Sequence, residues 1–149
     1  MSKIKSASQR GLAEGYRSGL EASAAADLEE RKAAYEYETF KIPWEDRKMR
    51  KYTPDFLLLK NYIIVETKGR FTSVDRRKHV EIKGQHPDLD IRFVFTNSRA
   101  KLYKGSRTTY GDWCDTHGFK YADKTVPTEW TKEKLNRASK AAVLKLKEN

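Results

Sequence analysis

Residues 52–59 (YTPDFLLL) and 62–69 (YIIVETKG) form two short, nearly continuous apolar runs separated by Lys60 and Asn61. Runs of this length, rich in aromatic and branched residues and split by one polar dipeptide, read as the strands of a hairpin. A turn centred on Lys60 and Asn61 sets Leu59 against Tyr62, Leu57 against Ile64 and Asp55 against Glu66. Directly opposed residues on one face have Cβ atoms roughly 4.5–5.5 Å apart. Lys68 lies two residues past Glu66 and shares its face. Phe56, Leu58, Ile63 and Val65 occupy the other face. Both faces are therefore apolar, as in the inner strands of a covered sheet, and a one-residue slip would undo the pairing of Asp55 with Glu66. The chain is constrained to place two carboxylates and a lysine in an apolar setting. Facing buried carboxylates are costly unless compensated, and a divalent cation is the obvious compensating group.

The 149 residues suit one compact domain with appendages. The net charge of +10 points to a polyanionic partner, most simply nucleic acid; a merely basic soluble protein is the plainer alternative. Cys114 is the only cysteine, which excludes an intramolecular disulfide and a cysteine zinc site and suits a reducing compartment. No apolar stretch nears the roughly 20 residues that span a bilayer, and the polar N-terminus has no signal-peptide core. No membrane partner is expected.

Residues 1–16 are basic and rich in small polar residues, and are expected to be flexible. A helix is predicted from Arg17 to Ala34, with Ser18 to Glu21 as a capping box and Leu20, Ala24, Leu28 and Tyr35 near helical spacing. Residues 35–42 alternate as a strand that Pro43 ends, and 44–51 read as a charged connector. After the hairpin come a basic helix over 74–85 and a strand over 91–96. A short helix capped by Thr108 or Thr109 stops at Gly118, and a last strand covers 119–121. From Thr131 the tail is basic and helix-prone. This order predicts an α/β fold, a mixed sheet with flanking helices.

Phosphodiester hydrolysis needs an activated water, a stabilised transition state and a stabilised leaving oxygen, and one or two Mg²⁺ ions supply all three. Mg²⁺ takes hard oxygen ligands and usually one or two protein carboxylates. Asp55 is suited to bridge two ions, with Glu66 and the Thr67 carbonyl completing one site. A charged Lys68 is no ligand; its expected role is to orient the water and offset developing negative charge. It would act as a base only with a strongly depressed pKa. The competing reading is a structural cluster at a solvated sheet edge. Glu21 already has a structural role as the third residue of a capping box, which leaves its catalytic role open. His79 reads as a surface residue of the basic helix, and Trp44, Trp113 and Trp130 as core or dimer contacts.

Pro54-Asp55 followed by Glu66-Thr67-Lys68 resembles the PD-(D/E)XK nuclease superfamily. The likeness extends over RSGLE at 17–21, YTPDFLL at 52–58, VETKG at 65–69, RKH at 77–79, QHPDLDIR at 85–92, LYKGS at 102–106 and YADK at 121–124. Together these resemble the phage endonuclease I family, the junction-resolving enzymes of T7-like phages, over about residues 17–130. The resemblance implies a restriction-endonuclease-like core in an intertwined, domain-swapped homodimer. It implies a catalytic set of Glu21, Asp55, Glu66 and Lys68, with Glu21, Asp55, Glu66 and Thr67 holding one or two Mg²⁺ (or Mn²⁺) per site. Glu21 would then serve the partner's Asp55, Glu66 and Lys68. The expected organisation is a flexible segment at 1–16 and a nuclease domain at 17–130, followed by a basic tail at 131–149. Within the nuclease domain, 17–43 is the exchanged element, 44–51 the connector and 52–130 the core. The implied activity is resolution of branched DNA by paired nicks, in the cytoplasm of a host cell. Arg17, Arg47, Lys48, Arg50, Lys51, Arg70, Arg76, Arg77 and Lys78 are then expected to contact backbone phosphates, which gives affinity and geometry rather than base readout. The alternatives are a non-catalytic basic nucleic-acid-binding module and a restriction- or repair-type nuclease of the same superfamily.

Overall fold

The computed structural model describes residues 16–148, so the basic segment expected at 1–16 lies almost wholly outside the described residues. A five-stranded mixed sheet organises the chain, in the order β1 (Tyr35–Tyr37), β4 (Phe56–Leu58), β5 (Ile63–Lys68), β6 (Asp90–Phe95), β7 (Tyr121–Asp123). β1, β4 and β5 pair antiparallel, whereas β5, β6 and β7 pair in parallel. The parallel half requires crossovers. Helix α2 (Ser73–Gln85) connects β5 to β6, and α3 (Tyr110–His117) lies between β6 and β7.

The hairpin register is the expected one: Leu57 opposes Ile64 and Phe56 opposes Val65. The turn differs. Leu59 and Tyr62 do not pair; residues 59–62 form a four-residue loop closed by Tyr62 N–H donating to the Leu58 carbonyl at 2.7 Å. No glycine is available for a tight two-residue turn, and the left-handed conformation falls on Tyr62 at φ 59°. Asn61 is fully buried there, donating to the Trp130 carbonyl at 2.6 Å.

Apolar side chains fill both sides of the sheet. On one, Phe56, Leu58, Ile63 and Val65 pack with Ala24, Ala25 and Leu28 of α1 (Gly19–Glu30) and with Trp130 of α4 (Thr128–Lys132). On the other, Leu57, Ile64 and Phe93 pack with Ile82 of α2, Trp113 and Cys114 of α3 and Val143 of α5 (Arg137–Lys147). All three tryptophans are core residues. The segment after Thr131 is docked through α5, where Ser139 Oγ donates to the Tyr62 carbonyl at 2.7 Å.

Three local expectations change. Helix α1 ends at Glu30, short of Ala34, with Lys32 left-handed at φ 55°. The strand expected over 35–42 breaks after Tyr37, where Glu38 takes φ 50°. Residues 44–51, read as a connector, lie in a second two-stranded sheet, β2 (Ile42–Glu45) and β3 (Met49–Tyr52), with Trp44 opposite Arg50. Ile42, Trp44 and Tyr52 join the main core and give this hairpin an apolar underside. Gln85 of α2 grips its edge, accepting from Glu45 N–H at 2.6 Å and donating to the Glu45 carbonyl at 2.9 Å.

Candidate active site

Three segments converge where β4 begins and β5 ends. Pro54 precedes β4 and Asp55 occupies a bend just outside the strand. Carried one residue further, the β4–β5 register sets Asp55 beside Glu66, and Asp55 N–H donates to Glu66 Oε1 at 3.2 Å. Because Asp55 has left the strand, its carboxylate does not simply face Glu66. Its Oδ2 accepts from Thr67 N–H at 2.9 Å and Thr67 Oγ1 at 2.8 Å. Glu66 Oε1 also accepts from the Tyr52 hydroxyl at 2.7 Å, and its Oε2 lies 3.6 Å from Lys68 Nζ. Asp55 is 6% exposed and Glu66 5%, which rules out a solvated sheet edge.

Glu21 enters from the start of α1. Ser18 caps the helix by accepting from Glu21 N–H at 3.1 Å. The Glu21 carboxylate does not return to Ser18; it accepts from Arg17 N–H at 3.1 Å and from the Tyr37 hydroxyl. The cap thus uses the backbone of Glu21, while its 9%-exposed side chain faces Asp55. Oxygens of Glu21, Glu38 and Asp55 all lie within 4.8 Å of one another. Glu38 follows β1, and its N–H donates to the Asp55 carbonyl at 3.0 Å. Sequence reasoning missed it, since one glutamate in a charged strand end carries no local signal. Within a single chain, therefore, Glu21 stands beside its own Asp55.

Arg17, Glu21, Lys51, Tyr52, Asp55, Glu66, Lys68 and Lys78 line one open cleft of about 460 Å³. Its electrostatics are tightly coupled. Burial, then the charges of Glu66 and Glu21, raise Asp55 from 3.8 to about 8 despite the Thr67 hydrogen bonds. Burial also raises Glu66, opposed by Lys68 and Tyr52. Burial disfavours the charged form of Lys68, but Glu66 and Asp75 outweigh it and hold the ammonium above its ordinary value. Lys68 is therefore held as the charged ammonium, a hydrogen-bond donor. Burial and then Lys68 lower Lys78, which sits over the Tyr52 ring at 4.8 Å.

The donor set is all hard oxygen, as Mg²⁺ and Mn²⁺ require, and a positive charge beside Asp55 would offset the burial and neighbouring carboxylates that raise it. The residues thus fit a divalent cation.

The expected phosphate-contacting residues divide. Arg17, Lys51 and Lys78 border this cleft. Arg47, Lys48, Arg50 and Arg77 surround a separate hollow of about 560 Å³ around Asp46, which pairs with Arg77 and, at 3.5 Å, with Arg50. Arg70 is exposed in the loop after β5, whereas Arg76 turns back to donate to the Phe71 carbonyl at 2.6 Å. His79 is not a surface residue. It is fully buried, three residues before Ile82 on the inward stripe of α2, with rings of Phe93 and Tyr52 at 4.8 and 5.0 Å. Neither ring nitrogen has a hydrogen-bond partner among the described residues, and burial drives its pKa well below the ordinary value.

A family profile described as Phage endonuclease I matches residues 1–149. The chain is similar to Endonuclease I of Escherichia phage T7, at 54% identity over 119 residues covering 79% of each chain. It is also similar to Endodeoxyribonuclease 1 of Enterobacteria phage T3, at 50% identity over 119 residues, covering 79% of this chain and 78% of the relative.

Proposed function

The chain belongs to the phage endonuclease I family, and from that membership and its acidic cleft we propose a DNA endonuclease that resolves four-way and other branched junctions by paired, Mg²⁺-dependent nicks. The observation that carries this reading is the meeting of Glu21, Asp55, Glu66 and Lys68 in one cleft bordered by Arg17, Lys51 and Lys78. A cleft of buried carboxylates alone would repel DNA; the three cations at its border draw a backbone phosphate to it.

Glu21, Asp55, Glu66 and the Thr67 carbonyl would hold the cation, with Glu38 close to the Glu21 and Asp55 oxygens. When bound, the ion supplies charge stabilisation at the phosphate and lowers the pKa of an attacking water. The chain does the rest. Tyr52 and the Asp55 N–H hold Glu66 in place. The Lys68 ammonium donates to the water or to a non-bridging phosphate oxygen, stabilising charge that grows in the transition state.

The dimer is part of the same proposal. Exchange of residues 17–43 between two copies would move Glu21 into the partner's cleft, and residues 44–51, paired as a hairpin within the single chain, would open to carry the crossing. Two linked sites then suit two cuts on a branch point. No helix among the described residues is long and apolar enough to cross a membrane.

A panel of linear duplex, mismatched duplex and four-way junction tests selectivity. Preferential nicking of the junction with Mg²⁺ is expected; equal cutting of all three would sink it. Mixed refolding of Glu21→Ala with Asp55→Ala tests the exchange, because a hybrid dimer regains one intact site. Verified hybrids that never nick would rule exchange out.

A further inference from the structure

The Lys68 ammonium is held from two sides. Its Nζ lies 3.6 Å from Glu66 Oε2 and 3.2 Å from Asp75 Oδ1. Asp75 is the third residue of α2, and its two carboxylate oxygens have separate tasks. Oδ2 accepts from Thr72 N–H at 3.1 Å and from the Thr72 hydroxyl at 3.0 Å, and Asp75 N–H donates to Thr72 Oγ1 at 3.2 Å. This reciprocal capping box fixes the carboxylate at the helix start. Oδ1 is left for the lysine.

The platform beneath Asp75 is firm. Phe71, just before the cap, is buried with its ring 4.9 Å from Trp113 and 5.0 Å from Phe93. Ile82 and His79 seat the rest of the helix in the core. A lysine is a flexible stem with a point charge and no preferred fork. In a cleft holding Glu21, Asp55 and Glu66, its ammonium has several carboxylates to choose among. Asp75 limits that choice, because it stands outside the carboxylate group of Glu21, Glu38 and Asp55 and is tied to α2 rather than to the metal-holding oxygens.

Building on the reading of Lys68 as the donor to water or phosphate, we propose that Asp75 is a positioning residue whose carboxylate, set at the start of α2, fixes Lys68 Nζ beside Glu66. One ammonium proton is then engaged by Asp75, the Glu66 carboxylate lies 3.6 Å away as an ion pair, and the remaining protons are left for the substrate.

Single-turnover cleavage of a four-way junction with Mg²⁺, measured beside junction affinity and melting temperature, tests this with five variants. Asp75→Asn and Asp75→Ala should cut ~10- to 100-fold more slowly, the usual loss when a supporting partner is removed, without weaker junction binding. Thr72→Ala, which removes the cap hydroxyl and leaves the Asp75 charge, should lower the melting temperature and keep most of the rate. In a Lys68→Ala background, Asp75→Asn should cost nothing further. Wild-type cutting by Asp75→Asn beside an impaired Lys68→Ala overturns the positioning role alone. So does a full loss from Asp75→Asn on top of Lys68→Ala, or a Thr72→Ala loss as large as that of Asp75→Asn. Wild-type cutting by Lys68→Ala would instead overturn the underlying reading of Lys68, and the role of Asp75 with it.

Discussion

Divalent-cation binding should expel a proton from Asp55, in an amount that depends on pH. The carboxyl is 6% exposed and lifted from 3.8 to about 8 by burial and by the charges of Glu66 and Glu21. Metal binding requires the carboxylate. At pH 7 a group of this pKa is ~90% protonated, so binding should release ~0.9 proton, falling to ~0.1 at pH 9. The apparent affinity should rise ~10-fold per pH unit below pH 8 and level off above it. Isothermal titration of Mg²⁺ in buffers of different ionisation enthalpy reads the proton count directly. The same shift bears on the metal-free fold. The unfolded carboxyl ionises near 3.8 and the folded one near 8, so the folded state holds the extra proton between these values. The contribution of Asp55 to stability is complete below pH 3.8 and declines by up to ~1.4 kcal/mol per pH unit until pH 8. Asp55→Asn should abolish the pH-dependent proton release and raise the metal-free melting temperature at pH 8. Proton release near zero at pH 7, or a melting temperature at pH 8 that Asp55→Asn lowers, would refute the coupling of burial to metal demand.

His79 should act with the opposite sign. Its folded pKa is depressed, so its contribution is intact above the unfolded value of ~6.5 and is lost as pH falls, by up to ~1.4 kcal/mol per unit. His79→Leu should therefore gain on wild type between pH 6.5 and 5.5 in chemical denaturation; a constant difference across that range would contradict it. Gly111→Ala should destabilise by ~1–3 kcal/mol, because the added Cβ would lie 2.7 Å from the Tyr121 hydroxyl oxygen and 2.8 Å from its Cζ; an unchanged melting temperature would show that the ring moves freely. Lys51→Ala should weaken junction binding and reduce the slope of log affinity against log salt by ~1, as loss of one phosphate contact does. An unchanged slope would remove Lys51 from the DNA path.

The parts of the site that were readable in the sequence were those set by neighbouring residues. Counting back from the polar break at Lys60 and Asn61 was enough to align Leu57 with Ile64 and so bring Asp55 near Glu66. Thr109 and Gly118 bracket α3 as a cap and a left-handed stop. Glu21 was visible through the RSGLE resemblance, whereas its local pattern showed only a helix start. What escaped depended on distant contacts. Residues 44–51 look like a charged connector until Ile42, Trp44 and Tyr52 are given a core to cover. His79 sits in a polar stretch, and only the packing of α2 on Phe93 and Tyr52 turns it inward. Glu38 and Asp75 join the cleft through a left-handed backbone kink and a helix cap, neither of which a residue type announces. The bend after Pro54, which turns Asp55 toward Thr67, is likewise a tertiary detail.

The cleft of Glu21, Asp55, Glu66 and Lys68 is proposed to hydrolyse DNA at a branch point. The most direct measurement of that hydrolysis is nicking of an end-labelled four-way junction by wild-type and Glu66→Gln protein, with Mg²⁺ and with a chelator, alongside junction binding. Paired nicks by the wild type with Mg²⁺ alone, and none by a Glu66→Gln protein that still binds the junction, is the predicted result. Wild-type nicking by Glu66→Gln, or nicking that persists in the chelator, would contradict it.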